Sequence, residues 1–150
     1  MLVERYSLVI VQHPETEKFV SILETDDRGW WVTGGHVETG ESYVEAAHRE
    51  VLEEAGIKIE LKGIICVKTK RAHLYHGIWV IFYAHPIDDT PLKSIPDSES
   101  LKAYWVTLEG FKELEKKDGS RGSHLIEYGS HILEKKDLMP LSILEFPEFK

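Results

Sequence analysis

Apolar and polar positions along this chain alternate between strand-like and helix-like spacing. Leu2 to Val11 and Lys18 to Glu24 hold β-favouring residues. They are bounded by turn signals at His13-Pro14-Glu15-Thr16-Glu17 and Asp26-Asp27-Arg28-Gly29, so they predict two strands joined as a hairpin. Trp30 to Val32 is a short apolar stretch that Thr33-Gly34-Gly35 breaks. The spacing then changes. Val44, Ala47, Val51 and Ala55 recur as one stripe of a helix. Ser42 followed by Glu45 predicts a capping box at its start, and Gly56 a C-cap at its end. Strand-rich segments follow at Ile57–Lys70 and His76–His85. A polar loop with three prolines runs from Pro86 to Ser100, and a strand from Ala103 to Thr107. Helices are expected at Leu108–Lys117 and Ser123–Lys135. The tail from Leu138 to Lys150, with Leu144, Phe146 and Phe149 as anchors, is expected to lie extended across the surface.

Strands on both sides of a helix, with further helices at the end, predict an α+β chain whose mixed sheet is covered on both faces. At 150 residues, with no repeat or linker, residues 1–150 read as one domain. No apolar run reaches membrane-spanning length, and the first residues read as a strand rather than a leader. The single cysteine, Cys66, rules out an internal disulfide and reads as a small buried hydrophobe. These features point to a cytoplasmic protein. The net charge of −8 argues against gripping a polymeric nucleic acid, which calls for a basic face. A small anionic substrate bridged by metal ions stays compatible with it.

The chemistry concentrates in residues 35–57, GHVETGESYVEAAHREVLEEAGI. Glu50, Glu53 and Glu54 stand at i, i+3 and i+4, which places three carboxylates on one helix face. They repel one another unless a hard divalent cation such as Mg²⁺ joins them. The apolar stripe is expected roughly opposite. A solvated acidic face is the ordinary fate of such a run. It leaves Gly35, Gly56 and Arg49 at their fixed offsets unexplained.

The pattern resembles the box of the Nudix hydrolases: Gly, five residues, Glu, seven residues, Arg-Glu-apolar, any, Glu-Glu, any, Gly-apolar. Every specified position matches. The resemblance implies an α/β/α sandwich and hydrolysis of a nucleoside diphosphate linked to another moiety, with water attacking one phosphorus. It implies Mg²⁺ as the cofactor, with Mn²⁺ as a substitute, and a small nucleotide as the partner. It leaves a homodimer open. Glu50, Glu53, Glu54 and a main-chain oxygen of Gly35 become the metal ligands. Arg49 becomes the residue that orients acidic neighbours through an ion pair, with Glu41 as its partner. Glu99, in the long loop, is the candidate for a further catalytic carboxylate, ahead of Asp97. The general base lies among Glu53, Glu54 and Glu99.

Substrate choice is expected outside the box. Many relatives carry proline where Thr33 stands. Ala72 occupies the place where a proline hints at ADP-ribose, and the NADH-type signature is absent. Tyr75 matches a weak hint of diadenosine polyphosphates. The wider layout resembles the branch acting on oxidised guanine nucleoside di- and triphosphates. Trp30, Trp31, Tyr75 and Trp79 are the aromatic candidates for stacking a base.

Overall fold

The computed structural model describes residues 2–144. Two sheets form the middle layer. In the first, β4 (Thr33–His36), β1 (Leu2–Val11), β6 (Tyr75–Pro86) and β5 (Ile59–Ala72) lie in that order. β1 and β6 run parallel and the other pairs antiparallel, so this sheet is mixed. In the second, β3 (Trp30–Trp31), β2 (Phe19–Leu23) and β7 (Lys102–Val106) are antiparallel.

Alternation along β1 explains the layering. Val9 and Val11 face one core with Ala47, Val51 and Ala55 of α1 (Tyr43–Ala55). Leu8 and Ile10 face a second core with Phe111 of α2 (Leu108–Asp118) and Leu125 and Tyr128 of α3 (His124–Leu133). A strand buried on both faces reads as continuous apolar sequence, as Leu8 to Val11 does. Each fully buried side chain of the size of Phe82 or Phe111 contributes about 1.5–3 kcal/mol. Helices therefore close both faces, giving the expected α/β/α sandwich.

Four local expectations are corrected. β1 and β2 do not pair as a hairpin. They share a bridge at Gln12 and Phe19, after which β2 pairs with β3 and β7. Thr33-Gly34-Gly35 does not break the strand pattern. It is β4, paired with Ser7, Leu8 and Val9. A Cβ on Gly34 would collide with the Ser7 carbonyl oxygen and lie 2.7 Å from the Leu8 Cα, so glycine allows this pairing. The chain end includes a short 3-10 turn at Leu141–Leu144, preceded by a bridge from Met139 to Ile64. Phe146 and Phe149 lie outside the described residues. Cys66 is only half-buried.

Candidate active site

α1 begins and ends as its sequence dictates. The Ser42 side chain accepts from the Glu45 N–H, and the Glu45 carboxylate accepts from the Ser42 N–H. Gly56 takes the left-handed conformation at φ 72°, and its N–H donates to the Leu52 carbonyl. The last turn of α1 carries no basic residue of its own. The loop after β6 supplies one. The Lys93 ammonium donates to the Glu53 carbonyl at 2.8 Å, and the Ser100 hydroxyl to the Glu54 carbonyl at 2.7 Å. A cation there complements the negative end of the helix. Sequence reasoning missed both residues, and the missing basic last turn was the available signal.

The acidic face is not opposite the apolar stripe. At about 100° per residue Glu54 adjoins Ala47 and Val51, so it is drawn into the core edge. Glu54 is 5% exposed as a whole residue, while the side chains of Glu50 and Glu53 are 12% and 37% exposed. One Glu54 oxygen accepts the Gly34 N–H at 2.7 Å. Burial pushes the Glu54 carboxyl well above the usual range, opposed by that N–H and reinforced by Glu50, Glu24 and Glu99. Burial also raises Glu50. The Arg49 guanidinium opposes the shift, and Glu53 and Glu99 add to it.

Arg49 organises the rest. Its Nε and Nη2 donate to both oxygens of Glu41 at 2.7 and 2.9 Å, a bidentate pair. Nη1 reaches Glu50 at 3.1 Å and Glu53 at 3.2 Å, and Nη2 also donates to the His36 carbonyl at 3.0 Å. The hydrogen bonds from Arg49 hold the Glu41 carboxyl below its ordinary value. Arg49 thus ties the loop before α1 to two carboxylates on it.

Glu99 is exposed, yet close enough to raise the proton affinity of both Glu50 and Glu54. Asp97 has another task. One of its oxygens accepts from Lys93 and from the N–H groups of Glu99 and Ser100, fixing the loop. Gly35 lies directly against Glu50: a Cβ there would stand 2.6 Å from its Oε1.

Among the described residues, no three carboxylate, imidazole or thiolate groups already form a cation cage. Glu50 and Glu53 are turned to Arg49, and Glu54 to Gly34. The donor set still fits a hard divalent cation. It offers carboxylate oxygens, that of buried Glu54 costly to hold without a cation, directly against the Gly34–Gly35 backbone.

The aromatic candidates separate. Trp30 is 1% exposed, with its Nε1–H on Asp118 at 2.9 Å, and it is core. Trp31 is 6% exposed; its ring carries Arg121 at 4.1 Å and its Nε1–H donates to His124 at 2.7 Å. Large aromatics beside an apolar core gain more from burial than from a wet cleft, so neither presents an open face. Tyr75 sits at the start of β6, by the exposed turn through His73 and Leu74. Trp79 does line a cavity of about 250 Å³, with Leu8, Ile81, Lys68, Thr69, Lys70, His124 and Tyr128. The expectation named neither His124 nor Tyr128, because a helix-face histidine carries no spacing signal until the fold brings it to β5 and β6.

A family model described as the NUDIX domain matches residues 3–127 of this chain. The chain belongs to the Nudix family. As a Nudix hydrolase it is a pyrophosphohydrolase acting on nucleoside diphosphate derivatives. It is 28% identical over 140 residues to the uncharacterized Nudix hydrolase YvcI of Bacillus subtilis, covering 91% of this chain and 85% of that protein. It is 39% identical over 107 residues to the 8-oxo-dGDP phosphatase NUDT18 of Mus musculus, covering 67% of this chain. That alignment spans only 31% of the mouse protein. A Nudix hydrolase from Nitrosomonas europaea superposes with a TM-score of 0.75 at 19% identity, covering 97% of this chain and 98% of that one. At that identity the likeness speaks for the fold. No helix of the described residues is long and apolar enough to cross a membrane.

Proposed function

We propose that this Nudix domain hydrolyses guanine nucleoside diphosphates and triphosphates, oxidised ones included, to the monophosphate with Mg²⁺ as cofactor. The observation that carries the metal half is a pair of carboxylates one turn apart on α1, half-buried Glu50 and buried Glu54, both set against the Gly34–Gly35 backbone of β4. The similarity to the mouse 8-oxo-dGDP phosphatase supports the substrate half.

Glu50, Glu53 and Glu54, with the Gly35 carbonyl, are the ligands in this reading. When bound, a divalent cation screens the phosphate charge and acidifies the attacking water. The chain's own residues do the rest. Arg49 holds Glu50 and Glu53 in register while its fork on Glu41 fixes the approach loop. Glu54 keeps one oxygen on the Gly34 N–H, which orients the other. Water adds to one phosphorus, the bridging P–O bond breaks, and the released proton passes to a carboxylate among Glu53, Glu54 and Glu99. The loop pinned by Lys93 and Ser100 brings Glu99 beside α1.

The test is a panel of nucleoside diphosphate derivatives with Mg²⁺, products resolved by chromatography. The panel includes 8-oxo-dGDP, a dinucleoside polyphosphate, ADP-ribose and a nucleotide sugar. Cleavage of the oxidised guanine nucleotide inside its diphosphate, abolished by chelator, is expected. Preferred turnover of another member, or binding of every compound without turnover, would replace this reading.

A further inference from the structure

Arg121, between α2 and α3, is tied down by its backbone, its face and one edge, and open on the other edge. Its N–H donates to the Trp30 carbonyl at 3.2 Å, and the Trp30 N–H donates to the Gly119 carbonyl at 2.9 Å. The segment is thereby laid along β3. The guanidinium lies over the Trp31 ring at 4.1 Å. Its Nη1 donates to both oxygens of buried Glu24 at 3.0 Å. These contacts fix the plane of the group, yet the side chain keeps 39% of its surface exposed.

A guanidinium can fork to a pair of acceptor oxygens from either edge. Among the described residues, Nη1 of Arg121 has the Glu24 carboxylate, and the Nε/Nη2 edge has no hydrogen-bond acceptor. Arg49 shows what that edge takes. It donates to both oxygens of Glu41 at 2.7 and 2.9 Å. A phosphate offers the same pair of oxygens. Glu24 also has a second cation in Arg28, whose Nε stands 3.5 Å away, so it does not depend on Arg121 alone for its counter-charge.

The open edge lies beside the carboxylate site. Glu24 follows Leu23, whose carbonyl accepts the Leu101 N–H at 2.8 Å. The neighbouring Ser100 hydroxyl holds the Glu54 carbonyl at 2.7 Å. Glu24 therefore stands next to the segment that carries Glu99, and close enough to Glu54 to raise its proton affinity. Trp31, under the guanidinium, leads through Val32 into β4, where the Gly34 N–H holds Glu54.

We propose that Arg121 is a substrate-binding residue of the diphosphate reaction: its Nε/Nη2 edge grips two non-bridging oxygens of one phosphate, while Glu24 and Trp31 hold the guanidinium in plane. A fork fixed in advance loses less freedom on binding than a loose side chain. The proposal rests on the reading of α1 as a metal-assisted diphosphate site. It is independent of the base that the nucleotide carries.

The experiment is a calorimetric titration of the full chain with methylenediphosphonate and Mg²⁺, on the wild type, Arg121→Met and Arg121→Lys. This probe has two phosphorus groups, resists hydrolysis and carries no base, so the guanine reading can fail in the turnover panel without touching the result. Arg121→Met is expected to weaken binding at least about tenfold. Arg121→Lys should recover only part of that loss, because an ammonium cannot fork. The Arg121 Nε ¹⁵N resonance of the wild type should move on binding, a readout that needs no variant to fold. Mn²⁺ affinity without the anion should be the same in Arg121→Met as in the wild type, which separates loss of a phosphate contact from a disturbed metal site. Equal affinity for the probe in wild type and Arg121→Met, or an unmoved Nε resonance in a wild type that binds, overturns the proposal and leaves the metal reading standing. Mn²⁺ affinity that falls as far as probe affinity also overturns it. Absence of binding by the wild type overturns both.

Discussion

Gly35 and Glu50 are packed so closely that a single methyl group on the first would stand 2.6 Å from Oε1 and 2.9 Å from Cδ of the second. The Glu50 carboxylate thus lies against the β4 backbone at a distance that only the hydrogen of Gly35 permits. This contact sets the distance between the α1 carboxylates and the β4 backbone.

The first prediction follows from comparing Gly35 with its neighbour. In Gly35→Ala the obstacle is the end of a flexible side chain, so the fold should survive while Glu50 is pushed aside. Activity should fall by roughly ten- to a hundredfold, the range for disturbed metal-site support. In Gly34→Ala the obstacle is the β1 backbone, and φ is +143°, so the folded state itself should be lost or severely weakened. Melting curves beside steady-state rates separate the two; equal melting losses in both variants would contradict this account.

Arg49→Lys keeps the charge but removes the fork. A lysine cannot hold both oxygens of Glu41 and still reach Glu50 and Glu53. Turnover should drop about tenfold or more with modest change in unfolding midpoint. A variant as active as wild type would show that the fork is ordinary surface charge.

Much of this site was legible in the sequence, for a definite reason. The box positions are local: Ser42, Glu45 and Gly56 set the ends of α1, and three offsets put the carboxylates on one face. What local pattern cannot carry is how that face meets the rest of the chain. Glu54 is buried because β4 runs beside it, and β4 exists because Gly34 and Gly35 pair with β1 against their own weak strand preference. The aromatic residues were misleading for a related reason. Trp30 and Trp31 have the size and chemistry of a base-stacking pair, yet Asp118, Arg121 and His124, all far along the chain, enclose them. The cavity walls come from β1, β5, β6 and α3, a combination that no spacing rule encodes.

The long loop should prove part of the site through its anchors. Lys93→Met removes the cation at the C-terminal end of α1 and frees Asp97. A stability loss of about 1–2 kcal/mol is expected, measured by urea unfolding. Turnover should also decline as Glu99 loses its mooring. Unchanged stability and rate would mean that the Lys93 contacts are incidental.

Acid stability carries a signature of His124. Its folded-state proton affinity lies below the ordinary value of 6.5, chiefly through burial, so the unfolded chain binds the proton more readily. Stability therefore rises with pH up to about 6.5 and is lost progressively as pH falls through and below it. His124→Gln lacks this contribution. The wild-type advantage over His124→Gln in urea midpoint should shrink between pH 7.5 and 5.5, and a constant difference would contradict the burial argument.

The most direct measurement is Mn²⁺ binding by electron paramagnetic resonance to the wild type and to Glu50→Gln, Glu53→Gln and Glu54→Gln, at constant pH and without nucleotide. The account predicts a bound cation in the wild type and affinity weakened at least about tenfold in each variant. Equal Mn²⁺ affinity in all four proteins would contradict it.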